Sequence, residues 1–237
     1  QVINIYKGIV KKEDIPAATQ LFTTDWVVKY IVDNSLGRYW IERNPDSKLK
    51  EKLTYYVTSK NGENRHFDEH IDVKDLTVLD PCMGSAHFLV YAFEVLMFIY
   101  QECGYAANDA VKSILENNLY GLDIDDRAFQ LAYFAVMMKA RQYNRRILNR
   151  DTVCHVYAIQ ESNSINRDLL RYFGSGLSTI EKDDAETQMN TLLDLFANAK
   201  EYGSIINVET YNWELLRRYV SGIKQDEQIS IDSIGIE

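Results

Sequence analysis

A chain of 237 residues has room for one good-sized core, and 46% apolar with 26% charged residues is the balance of a water-soluble globular protein. The formal net charge of −9 argues against a basic face that grips nucleic-acid phosphates within this stretch. No apolar run is long enough to span a bilayer, and no positively charged leader precedes one, so neither a membrane anchor nor a secretory signal is expected.

In chain order, Pro16 marks a break between elements. Phe22-Thr23-Thr24-Asp25 then opens a helix, with a threonine cap and an acid in the first turn. Trp26, Val27, Tyr30 and Ile31 are its predicted buried face, and Gly37 its predicted stop. The polar stretch 41–75 carries turn signals at Asn44-Pro45-Asp46 and Lys60-Asn61-Gly62, with one short hairpin expected from Tyr55 to Phe67.

The chemistry begins with Leu76-Thr77-Val78-Leu79-Asp80, a short apolar run that ends on an acid and reads as a buried strand. Pro81-Cys82-Met83-Gly84-Ser85-Ala86 follows as a small-residue turn, and Phe88 to Tyr100 as an almost wholly apolar helix. Strand, small-residue loop, helix lets a backbone approach a ligand closely, and the amides of the helix start suit an anionic group. After a break at Gly104-Tyr105, Asn108 to Asn117 form a short helix. Asn118 to Asp125 read as a second strand, which closes on Asp123.

The helix predicted over Asp126–Arg145 has Ala128, Leu131, Ala132, Ala135, Val136, Met137 and Met138 as apolar positions. Its basic residues, among them Arg141 and Arg145, complement the helix dipole at its C-terminal end; a nucleic-acid contact is the other reading. Val153 to Ile159 form a third apolar run, followed by Gln160-Glu161. Strands alternating with helices call for a parallel sheet, whose ligands gather outside the carboxyl ends of the strands. Asp80, Asp123, Gln160 and Glu161 would then line one crevice. Beyond residue 164, Ile180 to Ala199 are an acidic amphipathic helix, Gly203 to Val208 a short extended piece, Trp213 to Val220 another helix, and the tail from Gln225 an exposed end. Three scattered cysteines suit a reducing cytoplasm, and neither they nor the histidines, His66 and His70 included, show a metal spacing.

The order Asp-Pro-x-x-Gly-Ser-x-x-Phe-Leu at Asp80 to Leu89, followed by Tyr120-Gly121-Leu122-Asp123-Ile124-Asp125, resembles the adenine-specific DNA methyltransferases. With Ala17 to Thr23 and Asn34 to Arg38, the likeness is to the large BREX and phage-growth-limitation subgroup, over about residues 15–165. The resemblance implies a Rossmann-like α/β core that binds S-adenosyl-L-methionine, covering residues 71–163. An N-terminal helical segment and connector (1–70) and a helical extension (164–237) flank it. It also implies roles: Thr23 on the methionine carboxylate, Asp80, Pro81, Gly84, Ser85 and Ala86 as the cofactor loop, Asp123 and Ile124 at the ribose. Gln160 and Glu161 would lie at the end of the strand that contacts adenine.

Two departures stand out. Thr24 replaces the family's proline, and Ala86 its second loop glycine. Ala86 either takes a left-handed conformation, with its methyl over the cofactor, or lies with ordinary helical dihedrals. The family's Asn-Pro-Pro-Tyr motif, which holds the flipped adenine, does not occur in these residues. The expectation is therefore a cofactor-binding portion without its own methyl transfer. DNA would be bound through other parts of a parent enzyme, alongside subunits of a phage-defence complex, in the cytoplasm. A nicotinamide enzyme would use the same strand-loop-helix physics, but G-x-G-x-x-G is absent, and the second acid lies twice the roughly 20 residues from the loop that such folds show. A non-catalytic interaction module on the same fold is the remaining alternative.

Overall fold

The computed structural model describes residues 23–58, 66–69, 71–149, 152–208 and 210–222. Pro16, the Lys60-Asn61-Gly62 turn, His70 and the tail from Gln225 lie outside the described residues. Contacts divide the chain into two units, the first ending at Ala158 and the second beginning at Ile159.

In the first unit, Thr24 stands at the N-cap position of helix α1 (Asp25–Val32) in extended conformation, φ −66 and ψ 146, without a side-chain bond to the helix start. Val28, Val32 and, further on, Leu36 are its buried positions. Trp26, Tyr30 and Ile31 are exposed, which corrects the predicted face. So many positions here are apolar that periodicity alone does not set the phase of the helix; packing against a partner does. Gly37 does not stop the helix either. The chain runs through a π-helical turn (Asp33–Gly37) into α2 (Arg38–Arg43). A Cβ at Gly37 would collide with Leu53 Cδ1, so this glycine serves a close approach and not a cap.

The π-helical turn has a structural use. Asp33, fully buried, accepts hydrogen bonds of 2.8 Å from the Tyr91 hydroxyl and from the Tyr55 N–H. Asn34 accepts from the Val57 N–H and donates to the Tyr55 carbonyl. The segment around Tyr55 is thereby tied down as irregular chain. No strand forms among residues 53–58 or 66–69, so the described part of the expected hairpin is absent.

Strand β1 (Val78–Asp80) leads into α3 (His87–Glu102) and α4 (Ala107–Ser113), then through a second π-helical turn (Ile114–Asn118) to β2 (Leu119–Asp123). Helix α5 (Asp126–Tyr143) crosses to β3 (His155–Ala158). The three strands are parallel in the order β1-β2-β3, with Val78 opposite Leu119 and Gly121 opposite Val156. This is a mixed α/β unit with a three-stranded parallel sheet flanked by helices.

The core centres on α3, whose Leu89, Phe93, Leu96 and Ile99 are fully buried. Helix α5 packs against β2 and β3, and three of its five buried residues, Ala128, Ala132 and Ala140, are alanines. Leu131, expected inside, is exposed. The buried amide of Asn118 donates to the Val73 and Leu76 carbonyls, and its oxygen accepts from the Tyr100 hydroxyl. That network fixes the segment leading into β1 against the start of β2.

The second unit has its own core of Leu170, Phe173, Ala185, Leu193, Leu215 and Tyr219. Helix α6 (Thr179–Leu195) begins with a capping box between Ser178 and Glu181; α7 (Ala199–Tyr202) and α8 (Trp213–Ser221) follow. Gly203–Ile205 forms a 3-10 turn, correcting the extended piece expected there. Gly203 takes φ 55 at the end of α7, and the apolar residues after it have no sheet to join among the described residues of this unit.

Candidate functional site

Two acids end two neighbouring strands. Asp80 closes β1 and Asp123 closes β2, with Asp80 opposite Gly121 in the ladder. The loop from Pro81 to Ala86 is folded back onto β2 by two bonds. The Met83 N–H donates to the Leu122 carbonyl at 2.9 Å, and the Gly84 N–H to Asp123 Oδ2 at 2.8 Å. Asp123 Oδ1 accepts from the Asp125 N–H at 2.9 Å, which shapes the turn into α5. Each oxygen of Asp123 thus holds one backbone donor and keeps acceptor capacity for another.

Asp80 differs. Its Oδ1 accepts from the Cys82 N–H at 3.2 Å, whereas Oδ2 is buried with no hydrogen-bond partner. Burial pushes its carboxyl above the ordinary range; the Cys82 N–H opposes that rise and the charge of Asp123 adds to it. An unpartnered buried carboxylate oxygen is costly unless a donor or a cation is supplied to it.

Two residues in the loop have positive φ, Gly84 at 52° and Ala86 at 67°. Among the described residues Ala86 is the one non-glycine residue there, and it is the N-cap of α3. Of the two conformations open to it from sequence, the left-handed one is adopted. Its methyl, however, is fully buried in the core and not over the loop's open side. Between these two residues, Ser85 bonds His87 Nδ1 at 3.1 Å.

Of the other expected site residues, Pro81 is exposed and Ile124 half-buried beside Asp123. Thr23 is half-buried immediately before the cap of α1. Gln160 and Glu161 follow the end of β3 and belong to the second unit. The structure brings together Asp80, Gly84, Ser85, Ala86 and Asp123. The network at Asp33, Asn34 and Tyr91 that ties down the chain after α2 was not foreseen from the sequence; the Asp-Asn pair within the helical stretch was its signal.

A groove of about 490 Å³ lined by Leu36, Tyr39, Leu76, Thr77 and Val78 opens at the start of β1, away from the acids. It contributes nothing to the arrangement at Asp80 and Asp123. Among the described residues no cluster of His, Cys, Asp and Glu would hold a metal ion, and no helix is long and apolar enough to cross a membrane.

The MmeI DNA-methyltransferase domain family matches residues 57–170. The adenine-specific methyltransferase BrxX of Escherichia coli O9:H4 (strain HS) is 40% identical over 236 residues, which take in 90% of this chain and 20% of that protein. The adenine-specific methyltransferase PglX of Lacticaseibacillus casei (strain Zhang) is 38% identical over 225 residues, 88% of this chain and 18% of that protein. A putative type II restriction enzyme and methyltransferase of Methanocaldococcus jannaschii is 32% identical over 133 residues. The chain spans about a fifth of the length of BrxX and PglX.

Proposed function

This chain is related by sequence to the adenine-specific DNA methyltransferases, and from that kinship we propose that it is the S-adenosylmethionine-binding portion of such an enzyme. The observation that carries the reading is the acid pair around the loop, with Asp80 Oδ2 buried and unpartnered beside a loop that Asp123 pins to β2. The cofactor is cationic at its sulfonium and its ammonium, and a carboxylate that has lost water without gaining a donor is suited to such a group. The residues present fit the cofactor in that respect.

In this reading residues 71–163 are the Rossmann-like core. Asp80 takes the cationic methionine end and Thr23 its carboxylate. Pro81, Gly84, Ser85 and Ala86 bring backbone close to the ligand, and Asp123, with Ile124 beside it, accepts from the ribose hydroxyls. Gln160 and Glu161 serve the adenine end. Bound there, the cofactor supplies an electrophilic methyl group. Transfer to the exocyclic amine of adenine needs a pocket for the flipped base and a surface for its phosphates. Neither an Asn-Pro-Pro-Tyr motif nor a basic balance is present in these 237 residues, so both tasks fall to other parts of the parent enzyme. The parent acts on DNA in a phage-defence or restriction-modification system, with partner subunits, in the cytoplasm.

The test is a calorimetric titration of the chain with S-adenosylhomocysteine and, separately, with NAD. Saturable heat from S-adenosylhomocysteine alone is expected. Saturation by NAD instead would make this a nicotinamide site, and no binding of either would favour an interaction module.

A further inference from the structure

Two helices of the first unit lead out of the proposed methionine end of the site, and one buried carboxylate ties them together. Thr23 comes just before the N-cap position of α1, and the loop from Pro81 to Ala86 runs directly into α3. Asp33, at the far end of α1, is 0% exposed. Its Oδ1 accepts from the Tyr91 hydroxyl at 2.8 Å, and its Oδ2 from the Tyr55 N–H at 2.8 Å. Tyr91 stands in the second turn of α3, just past the loop. Its ring centroid also lies 5.9 Å from the Lys29 ammonium, so Tyr91 meets α1 at two points. Burial and the bond to Asp33 push the Tyr91 hydroxyl well above its ordinary range, which keeps it a donor.

A buried carboxylate is a costly way to pack two helices. Val28 and Val32 already bury one side of α1, and an apolar residue in place of Asp33 would extend that side without removing a charge from water. A directional bond adds register. Helices packed through apolar side chains can shear against one another, whereas a hydrogen bond of fixed length opposes that sliding. The backbone departs from regularity at the same place: the π-helical turn begins at Asp33 itself, and such turns occur frequently at functional sites. We propose that Asp33 and Tyr91 are positioning residues for the cofactor's methionine end, their bond fixing the register of α1 on α3 and so the placement of Thr23 relative to the loop. This role rests on the proposed cofactor site, and neither residue is placed against the ligand.

Calorimetry with two ligands tests it: S-adenosylhomocysteine, and methylthioadenosine, which has the same nucleoside but no amino-acid end. Tyr91→Phe removes the bond. It is expected to weaken S-adenosylhomocysteine binding about fivefold or more, as for partial loss of charge-assisted bonds, and methylthioadenosine binding less than about twofold. Asp33→Asn combined with Tyr91→Phe also removes the buried charge and leaves an oxygen for the Tyr55 N–H. The double variant should show the same split, and it decides the matter if Tyr91→Phe alone does not fold. Ile99→Val, a buried deletion further along α3, is the control for stability; it should lower the urea midpoint and leave both affinities unchanged. Equal losses for the two ligands, or no loss, in folded variants would overturn the positioning role and leave the cofactor site standing. A wild-type chain that binds neither ligand would overturn the cofactor site and the positioning role with it.

Discussion

Ionising Asp80 costs this fold stability. Its carboxyl is raised mainly by burial, so between the unfolded value of roughly 3.9 and the higher folded one the native state binds more protons than the unfolded chain. Stability therefore falls as pH rises through that window and stays reduced above it. Asp80→Asn removes the penalty: the variant should resist urea better than wild type at pH 7, with the gap closing below about pH 4. The same substitution should weaken S-adenosylhomocysteine binding. An Asp80→Asn variant no more stable at pH 7 than wild type would show that Asp80 is adequately solvated. Ala86 is the second strained residue. Its left-handed backbone costs about 1 kcal/mol, which Gly would relieve. Gly would also lose a buried methyl, about 0.8 kcal/mol, and gain unfolded-state entropy, about 0.4–1 kcal/mol. Ala86→Gly is thus expected within about 1 kcal/mol of wild type. Ala86→Val, β-branched in the same conformation and fully buried, should lose more than about 2 kcal/mol. Urea unfolding of both variants separates them; equal losses would contradict the left-handed assignment. The sequence showed Ala86 as a departure and left its conformation open, because that depends on how the loop folds back on β2.

At the scale of elements, Gly121 joins the sheet to the loop. A Cβ there would stand 2.5 Å from Met83 Sδ and 2.7 Å from Leu89 Cδ1, both ends of movable side chains. Gly121→Ala should cost about 1–3 kcal/mol by overpacking. Because the Met83 N–H is bonded to Leu122 and Gly84 to Asp123, displacing Met83 should also lower cofactor affinity. Unchanged stability and affinity together would show that the loop absorbs the methyl freely. The place of the strands, the long helix α3 and the acids that close β1 and β2 were legible in the sequence because apolar runs bounded by turn residues mark parallel strands; the burial expected of β1 was not met, since Val78 and Asp80 are half-buried and Leu79 is exposed. The phase of α1 was not: Trp26, Tyr30 and Ile31 are as apolar as Val28 and Val32, and packing across the fold made the choice. Gly37 misled for a related reason. Its purpose is set by Leu53, a contact that no local pattern encodes.

For the whole molecule, the acidic balance suits the proposed reading of a cofactor-binding portion. The isolated chain is accordingly expected to transfer no radiolabelled methyl group to adenine in duplex DNA; clear incorporation would mean that a base pocket exists within it. Thr23 entered through family likeness and Gln160 and Glu161 through their place after the third strand, and the roles of all three depend on a ligand. Asp123 was legible as a strand-end acid, but its grip on Gly84 was visible only in the fold. The most direct measurement is calorimetric titration of S-adenosylhomocysteine into wild type and into Asp123→Asn, which keeps an oxygen for the Gly84 N–H, leaves the Asp125 N–H without its acceptor and removes the charge. One saturable site is expected in wild type and about tenfold or more weaker binding in the variant, with circular dichroism unchanged. Equal dissociation constants in two equally folded proteins would contradict it.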